Sequence, residues 1–139
     1  MLRFYAEKRN VKDGLPMCDT VGKSPDYAKE AICTRALLYE VAHEWAKAIK
    51  EYQQCDNPPY NLWRIAECYM QLNQPQQALK HIQQAVDLSD KPDPTLLDHL
   101  GDVLAAVNQT DRARDAWKKS LELEPNDTIR KKLEGDSKP

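Results

Sequence analysis

The residues that most often carry enzyme chemistry are sparse in this sequence and far apart. The three histidines, His43, His81 and His99, show no His/Cys or carboxylate spacing typical of a metal site. No serine or cysteine stands in a nucleophile elbow or beside a patterned base, and no glycine-rich phosphate loop is present. The sequence therefore predicts a protein that is not an enzyme, has no catalytic residues and needs no cofactor.

Asp98 and Asp102 form an acidic pair whose spacing could hold a cation. In a helix the two carboxylates lie one turn apart on the same face. Two carboxylates without further ligands are more typical of a solvated helix face, so no metal site is predicted.

The four cysteines, Cys18, Cys33, Cys55 and Cys68, are separated by 15, 22 and 13 residues. The chain lacks C-x-x-C, which argues against a zinc ribbon and a thioredoxin-type motif. Their even number leaves disulfides open in principle, but a chain of this length and regularity does not need them for stability. We therefore expect buried free thiols and, from them, a reducing, cytoplasmic location.

The composition is that of a folded domain with no strong charge bias. The chain has 139 residues, 41% of them apolar and 30% charged, with 20 basic against 22 acidic side chains. This near-neutral balance gives no support to nucleic-acid or membrane-surface binding. No run approaches the ~18 apolar residues of a membrane span, and no signal peptide is evident.

Internal repeats organise the chain, because four columns of residues recur with the same two steps of 30 and 35 positions. The columns are Ala36, Ala66 and Gly101; Tyr39, Tyr69 and Leu104; Ala48, Ala78 and Ala113; and Tyr52, Ile82 and Trp117. One further step of 34 backwards reaches Leu2, Tyr5, Gly14 and Cys18. Within each unit the apolar residues are spaced by 3 and 4, which predicts amphipathic helices.

Polar and proline-containing segments divide the units into helix pairs. Asp93-Pro94 is a strong helix start, Asn57-Pro58-Pro59 is expected to do similar work, and Pro125 ends a helix. The resulting map has a partial pair at about 1–22, pairs near 27–56, 59–90 and 94–124, and a tail helix near 127–134. The tail helix carries Ile129 and Leu133 on one side and three basic residues on the other, so it can cover the apolar end of the stack.

The pattern Leu97-x-x-Leu100-Gly101-x-x-Leu104, Ala113-x-x-x-Trp117 and Pro125 resembles the tetratricopeptide repeat signature, in its bacterial type. The second unit matches as Leu62-x-x-Ile65-Ala66-x-x-Tyr69 followed by Ala78-x-x-x-Ile82, and the first as Ile32, Ala36, Tyr39, Ala48 and Tyr52. The resemblance implies an all-α fold, a right-handed superhelical stack of antiparallel helix pairs. It also implies a single domain, residues 1–139, with a partial repeat (1–26), repeats at about 27–58, 59–93 and 94–126, and a capping tail (127–139).

The chain departs from the family pattern at three places. Arg35 stands where the pattern has Leu or Ile, and we expect it to extend to solvent or pair with a carboxylate. Gly14 replaces a packing alanine, and the first full unit is short near Asp56-Asn57, which predicts a clipped second helix. The chain also begins inside a predicted helix, which favours a fragment of a longer protein.

The resemblance further implies that the first helix of each pair lines a concave groove that binds a protein or peptide. By helical spacing the groove-facing residues are Cys33, Leu37 and Glu40; Tyr60, Trp63, Glu67 and Gln71; Thr95, Asp98, Asp102 and Ala105; and, from the partial unit, Arg3 and Glu7. This face suits a basic or amphipathic peptide with an apolar anchor. Tyr60 and Trp63 are the expected anchors, and their alternative role is packing between helices.

Some family members clamp a peptide carboxylate with Lys, Asn and Arg side chains on the first helices. At the corresponding positions only Arg64 could serve, so a co-chaperone clamp is not expected. The leading hypothesis is a non-enzymatic interaction module. The alternatives are a structural spacer or self-association unit of a larger repeat protein, and an accessory domain of an enzyme or regulator.

Overall fold

The computed structural model describes residues 11–136, and its regular elements are all α-helices. They are α1 (Val11–Val21), α2 (Ala28–Val41), α3 (Trp45–Gln54), α4 (Tyr60–Gln71), α5 (Pro75–Leu88), α6 (Pro94–Ala106), α7 (Thr110–Leu123) and α8 (Asp127–Asp136). The first part of the predicted partial repeat, including Leu2, Arg3, Tyr5 and Glu7, lies outside the described residues. The short connections make successive helices antiparallel, and each helix packs mainly on its neighbours in sequence.

The turns inside the three helix pairs share one backbone conformation. His43, Asn73 and Asn108 have φ values of 60°, 57° and 64°, in the left-handed region that follows many helix ends. In the first turn the N–H of Glu44 donates to the carbonyl of Tyr39 at 2.9 Å, and the other two turns repeat this bond. The three turn residues are 30 and 35 positions apart, so the backbone repeats with the same steps as the sequence.

The predicted helix starts have different outcomes. The side chain of Asp93 accepts hydrogen bonds from the N–H groups of Thr95 and Leu96 at 2.8 and 3.2 Å, which confirms the start of α6. The prediction for Asn57-Pro58-Pro59 is wrong in its mechanism, since Pro59 is the N-cap of α4 and no side chain caps that helix. The clipped helix is confirmed: α3 has 10 residues, whereas α5 and α7 have 14 each.

Small residues at the repeat positions let paired helices approach closely. Gly101 on α6 is the tightest case, because a Cβ there would lie 2.3 Å from Nε1 of Trp117 on α7. Trp117 is 4% exposed and fills the space next to Gly101. Arg35, which departs from the family pattern, pairs with carboxylates as expected: its Nη1 lies 3.5 Å from Asp19 and 3.9 Å from Glu51.

The tail helix covers the end of the last pair. Ile129 of α8 is 2% exposed, and Leu133 packs against the same core cluster. Arg114 of α7 donates to the carbonyl of Leu133 at 3.0 Å, and Asn126 caps the start of α8 through the N–H of Ile129. The helix therefore buries apolar surface that the repeats would otherwise expose.

Candidate functional site

Two hollows open between successive first helices, and they are lined by residues of α2, α4 and α6 and of the connections that precede α4 and α6. The α2–α4 hollow has a volume of about 350 Å³. It is lined by Glu30, Cys33, Thr34, Leu37, Asn57 and Tyr60. The α4–α6 hollow has a volume of about 320 Å³ and is lined by Pro59, Tyr60, Trp63, Asp93, Thr95 and Leu96. Tyr60 belongs to both linings, so the two hollows adjoin.

Two aromatic side chains of α4 line these hollows: Tyr60 lines both, and Trp63 lines the α4–α6 hollow. The rings of Tyr60 and Trp63 meet edge to face with centroids 6.0 Å apart. On its other side Trp63 lies 5.2 Å from the ring of His99 on α6, and Arg64 lies 4.9 Å from the Trp63 ring. The two residues thus pack against neighbouring side chains, which is the alternative role expected for them, and they also line open space.

The structure corrects the prediction for two of the cysteines. Cys33 of α2 and Cys55, at the end of α3, form a disulfide with Cα atoms 5.0 Å apart. Cys33 still lines the α2–α4 hollow, but as one half of a disulfide and not as a free thiol. Cys18 and Cys68 are buried free thiols, as predicted, and burial raises the pKa of Cys68 to about 12.

Arg64 is committed to a contact inside the protein. Its guanidinium donates through Nε (3.2 Å) and Nη2 to the carboxylate of Glu40, which also accepts a hydrogen bond from the Tyr52 hydroxyl at 2.7 Å. Glu40 is 9% exposed, so its charge needs these partners. Burial, together with the adjacent Glu40 charge, raises the pKa of the Tyr52 hydroxyl, which keeps it a donor.

Glu67 and His99 link α4 to α6 in a similar way, with Oε1 and Nδ1 2.9 Å apart. Burial alone would raise the pKa of Glu67, but the hydrogen bond and charge of His99 outweigh it, and the pKa is lowered. Burial alone would lower the pKa of His99, but Glu67, with help from Asp98 and Asp102, raises it above 6.5. The pair is therefore an ion pair over a wider pH range than free side chains would give.

The acidic pair of α6 holds a cation, and that cation is a lysine of this chain. Nζ of Lys132 on α8 lies 2.8 Å from Oδ1 of Asp98, and 2.8 and 3.1 Å from the two carboxylate oxygens of Asp102. Burial raises the pKa of Asp102, whereas the two carboxylates raise that of Lys132 against the effect of its own burial. Lys132 is one of the three basic residues predicted on the side of the tail helix opposite Ile129 and Leu133, but its long side chain reaches back to α6.

The predicted groove residues thus separate into groups. Cys33, Leu37, Tyr60, Trp63 and Thr95 line the two hollows. Those that lie in contacts between helices are Glu40, Arg64, Glu67, Asp98 and Asp102. Gln71, at the end of α4, is exposed and lines neither hollow, and Ala105 packs against the core.

Sequence reasoning missed six lining residues: Glu30, Thr34, Asn57, Pro59, Asp93 and Leu96. Three of them, Asn57, Pro59 and Asp93, belong to the connections that precede α4 and α6. These residues belong to the helix-start motifs at 57–59 and 93–94, so their position just before a predicted first helix could have identified them as lining residues.

Two further features bear on other functions. Within residues 11–136 no group of three or more His, Cys, Asp or Glu side chains could hold a metal ion. None of the helices in the described range is both long and apolar enough to cross a bilayer.

Residues 59–127 match a family model described as YpiA-like, C-terminal tetratricopeptide repeats. Among solved structures, the MamA RS-1 ArsTM double mutant superposes with a TM-score of 0.83 at 13% identity, over 95% of this chain and 76% of that one. YrrB, described as a TPR protein with an unusual peptide-binding site, gives a TM-score of 0.74 at 19% identity, over 89% and 66%. The Sgt2 TPR domain from Aspergillus fumigatus gives a TM-score of 0.68 at 22% identity, over 81% and 77%.

No curated protein sequence matches the chain. With identities this low the solved structures show the fold alone, and that fold is the all-α repeat solenoid that the sequence predicts.

Proposed function

The chain belongs to the tetratricopeptide repeat family, and from this premise we propose that it is a non-enzymatic module that binds a peptide or protein segment in a groove. The observation that carries the proposal is the pair of adjoining hollows that share Tyr60. Together their linings extend from α2 across α4 to α6. Two neighbouring open hollows suit an extended segment better than a small molecule, because such a segment can reach both.

Tyr60 and Trp63 are the proposed anchors. Each presents a large apolar surface, and their mutual contact and the contact of Trp63 with His99 hold the rings in place. Rings that are already immobilised lose little conformational freedom when a ligand binds, which favours affinity. Aromatic residues with these properties are typical of the energetic centre of protein interfaces.

The proposed ligand is a basic or amphipathic segment of another protein. YrrB is a TPR protein with a peptide-binding site, and the fold that this chain shares with YrrB supports a peptide ligand here.

A cytoplasmic location loses its support, since that expectation rested on free thiols and a disulfide persists mainly in oxidising compartments.

The test is binding by the purified protein beside three variants, with protein captured from a lysate of the source organism. Tyr60→Ala combined with Trp63→Ala removes the anchors, and Thr95→Trp fills the α4–α6 hollow from an exposed position. Tyr27→Ala removes an aromatic ring that is 52% exposed and lines neither hollow, so it is the matched control. Circular dichroism establishes that each variant remains helical.

We expect a partner that binds the parent and the Tyr27→Ala protein but not the two groove variants. A partner that binds all four equally would place the interface on another surface and refute the groove proposal. The second candidate function is a spacer or self-association unit. A molar mass that rises with protein concentration, together with no captured partner, would favour it.

A further inference from the structure

Most charges on the α2–α4–α6 face are already paired within the protein. Glu40 pairs with Arg64, Glu67 with His99, and the two aspartates of α6 with Lys132. The first two contacts join successive first helices, and the third joins α6 to α8. A ligand cation would have to displace an internal cation to use these carboxylates, so they contribute little to recruiting a basic partner.

Glu30 differs from these carboxylates. It lies in the first turn of α2, is exposed and lines the α2–α4 hollow. No salt bridge or hydrogen bond to its side chain occurs among residues 11–136. The same hollow is lined by the polar residues Thr34 and Asn57, so a cationic side chain that enters it meets a free carboxylate and further polar groups.

The α4–α6 hollow has the opposite character. Pro59, Tyr60, Trp63 and Leu96 supply a mainly apolar lining. The carboxylate of Asp93 is held by the first N–H groups of α6, at 2.8 and 3.2 Å, so it is already hydrogen-bonded at this edge. A volume of about 320 Å³ is large enough for a leucine, proline or phenylalanine side chain.

The two hollows lie side by side, because Tyr60 of α4 lines both of them. One short segment of a partner protein can therefore place one side chain in each hollow.

We propose that the groove recognises an extended protein segment that carries an apolar side chain and, close to it in sequence, a Lys or Arg. The apolar side chain occupies the α4–α6 hollow, and the cation faces Glu30 in the α2–α4 hollow. This inference rests on the proposed function, and it adds which two side chains of the partner are read, and where.

The test selects phage-displayed random 12-residue peptides on the full chain in its oxidised form, in parallel with the Glu30→Gln and Thr95→Trp variants. Glu30 and Thr95 are both exposed, so neither substitution disturbs the core. An enriched peptide is then synthesised, and its affinity is measured by titration calorimetry against all three proteins. Alanine replacements of its apolar and basic residues complete the set.

We expect peptides with an apolar and a basic residue close together in sequence. Glu30→Gln should weaken binding about five-fold, the upper end for an exposed ion pair. The Glu30→Gln protein should also lose the preference for a basic residue. Replacing the apolar side chain of the peptide by alanine should weaken binding more than about ten-fold.

The outcomes separate the two proposals. Equal enrichment on the parent and Thr95→Trp proteins would place peptide binding outside the α4–α6 hollow and refute the groove as its site, and no enrichment on either would refute the peptide-binding function itself. Peptides that need the open α4–α6 hollow but bind the Glu30→Gln protein equally well, or lack the basic residue, would overturn only this inference. Peptides that match a segment of this chain would identify a second copy as the occupant, and would also overturn it.

Discussion

Replacing Arg64 by methionine tests whether the groove-facing charge of α4 is structural. In the native protein Arg64 donates to both carboxylate oxygens of Glu40, and the Tyr52 hydroxyl supplies a third hydrogen bond. The Glu40 side chain is 10% exposed and that of Arg64 is 23% exposed. Methionine preserves the apolar stem of arginine and removes only the guanidinium.

The expected cost follows from the carboxylate that is left behind. Breaking a buried ion pair by removing one partner destabilises by roughly 3–5 kcal/mol. Water can reach part of the vacated position, because Arg64 is partly exposed, so we expect the lower end, about 3 kcal/mol. If Glu40 is replaced by glutamine in the same protein, the unpaired charge disappears. The double variant should then be more stable than Arg64→Met by about 1–2 kcal/mol.

The assay is urea unfolding followed by circular dichroism and by tryptophan fluorescence, with coincidence of the two transitions as the test of two-state behaviour. With a slope of about 2 kcal/mol per molar urea, the midpoint of Arg64→Met should fall by about 1.5 M. The matched control is Lys47→Met, which breaks the exposed Lys47–Glu44 pair (3.1 Å) and should cost less than about 1 kcal/mol. The reasoning is refuted if Arg64→Met costs no more than this control, or if the double variant is less stable than Arg64→Met.

Three further predictions follow from the packing, the ion pairs and the thiols. Gly101→Ala should destabilise by about 2 kcal/mol despite a gain of about 1 kcal/mol in helix propensity, because its Cβ would overlap Trp117; Trp117→Leu in the same protein should recover part of that loss in a urea titration. For the His99–Glu67 pair, the raised pKa of His99 makes its contribution complete below pH 6.5 and lost as the pH rises through the folded pKa. The lowered pKa of Glu67 makes its contribution complete above pH 4.5 and lost as the pH falls through the folded pKa. The difference in Tm between the parent and His99→Gln should therefore be largest between pH 4.5 and 6.5 and shrink at higher pH, and a difference that grows above pH 8 would contradict this. Iodoacetamide should label neither free thiol of the folded, oxidised protein and two cysteines after denaturation without reductant, as counted by mass spectrometry; four labels would disprove the disulfide.

The fold was predictable because its determinants repeat. Shared steps of 30 and 35 residues position the small and bulky residues of each pair, and the left-handed turn residues follow the same steps. The contact between Gly101 and Trp117 shows why a small residue on one helix of a pair faces a bulky residue on the other. Trp117 is the largest residue at its repeat position, and it lies against Gly101, the smallest residue at the facing repeat position. Hydrophobic periodicity and turn chemistry are local properties, so one sequence reveals them.

The disulfide and the groove linings were harder to predict, because they depend on which parts of separate helices meet. Cys33 and Cys55 are 22 residues apart, and only the clipped end of α3 brings Cys55 back to α2. The regularity of the chain argued against covalent links, and that argument considers stability alone. The hollows depend equally on the connections before α4 and α6, whose placement no periodicity describes.

The partners of the ion pairs between repeats have a regular spacing in the sequence, which is recognised only once the structure shows which charges are paired. His99 follows Glu67 by 32 residues, and Lys132 follows Asp98 by 34 and Asp102 by 30, so these opposite charges recur about one repeat apart. Arg64 follows Glu40 by a shorter step of 24 residues. The residues predicted to face the groove include four carboxylates, Glu40, Glu67, Asp98 and Asp102, and each is paired with a cation of the next first helix or of α8. The charge available to a ligand is therefore what remains after neighbouring repeats have paired theirs. In this protein the carboxylate that stays available to a ligand is therefore Glu30, in the first turn of α2 beside the α2–α4 hollow, and not the acidic residues in the middle of the helices.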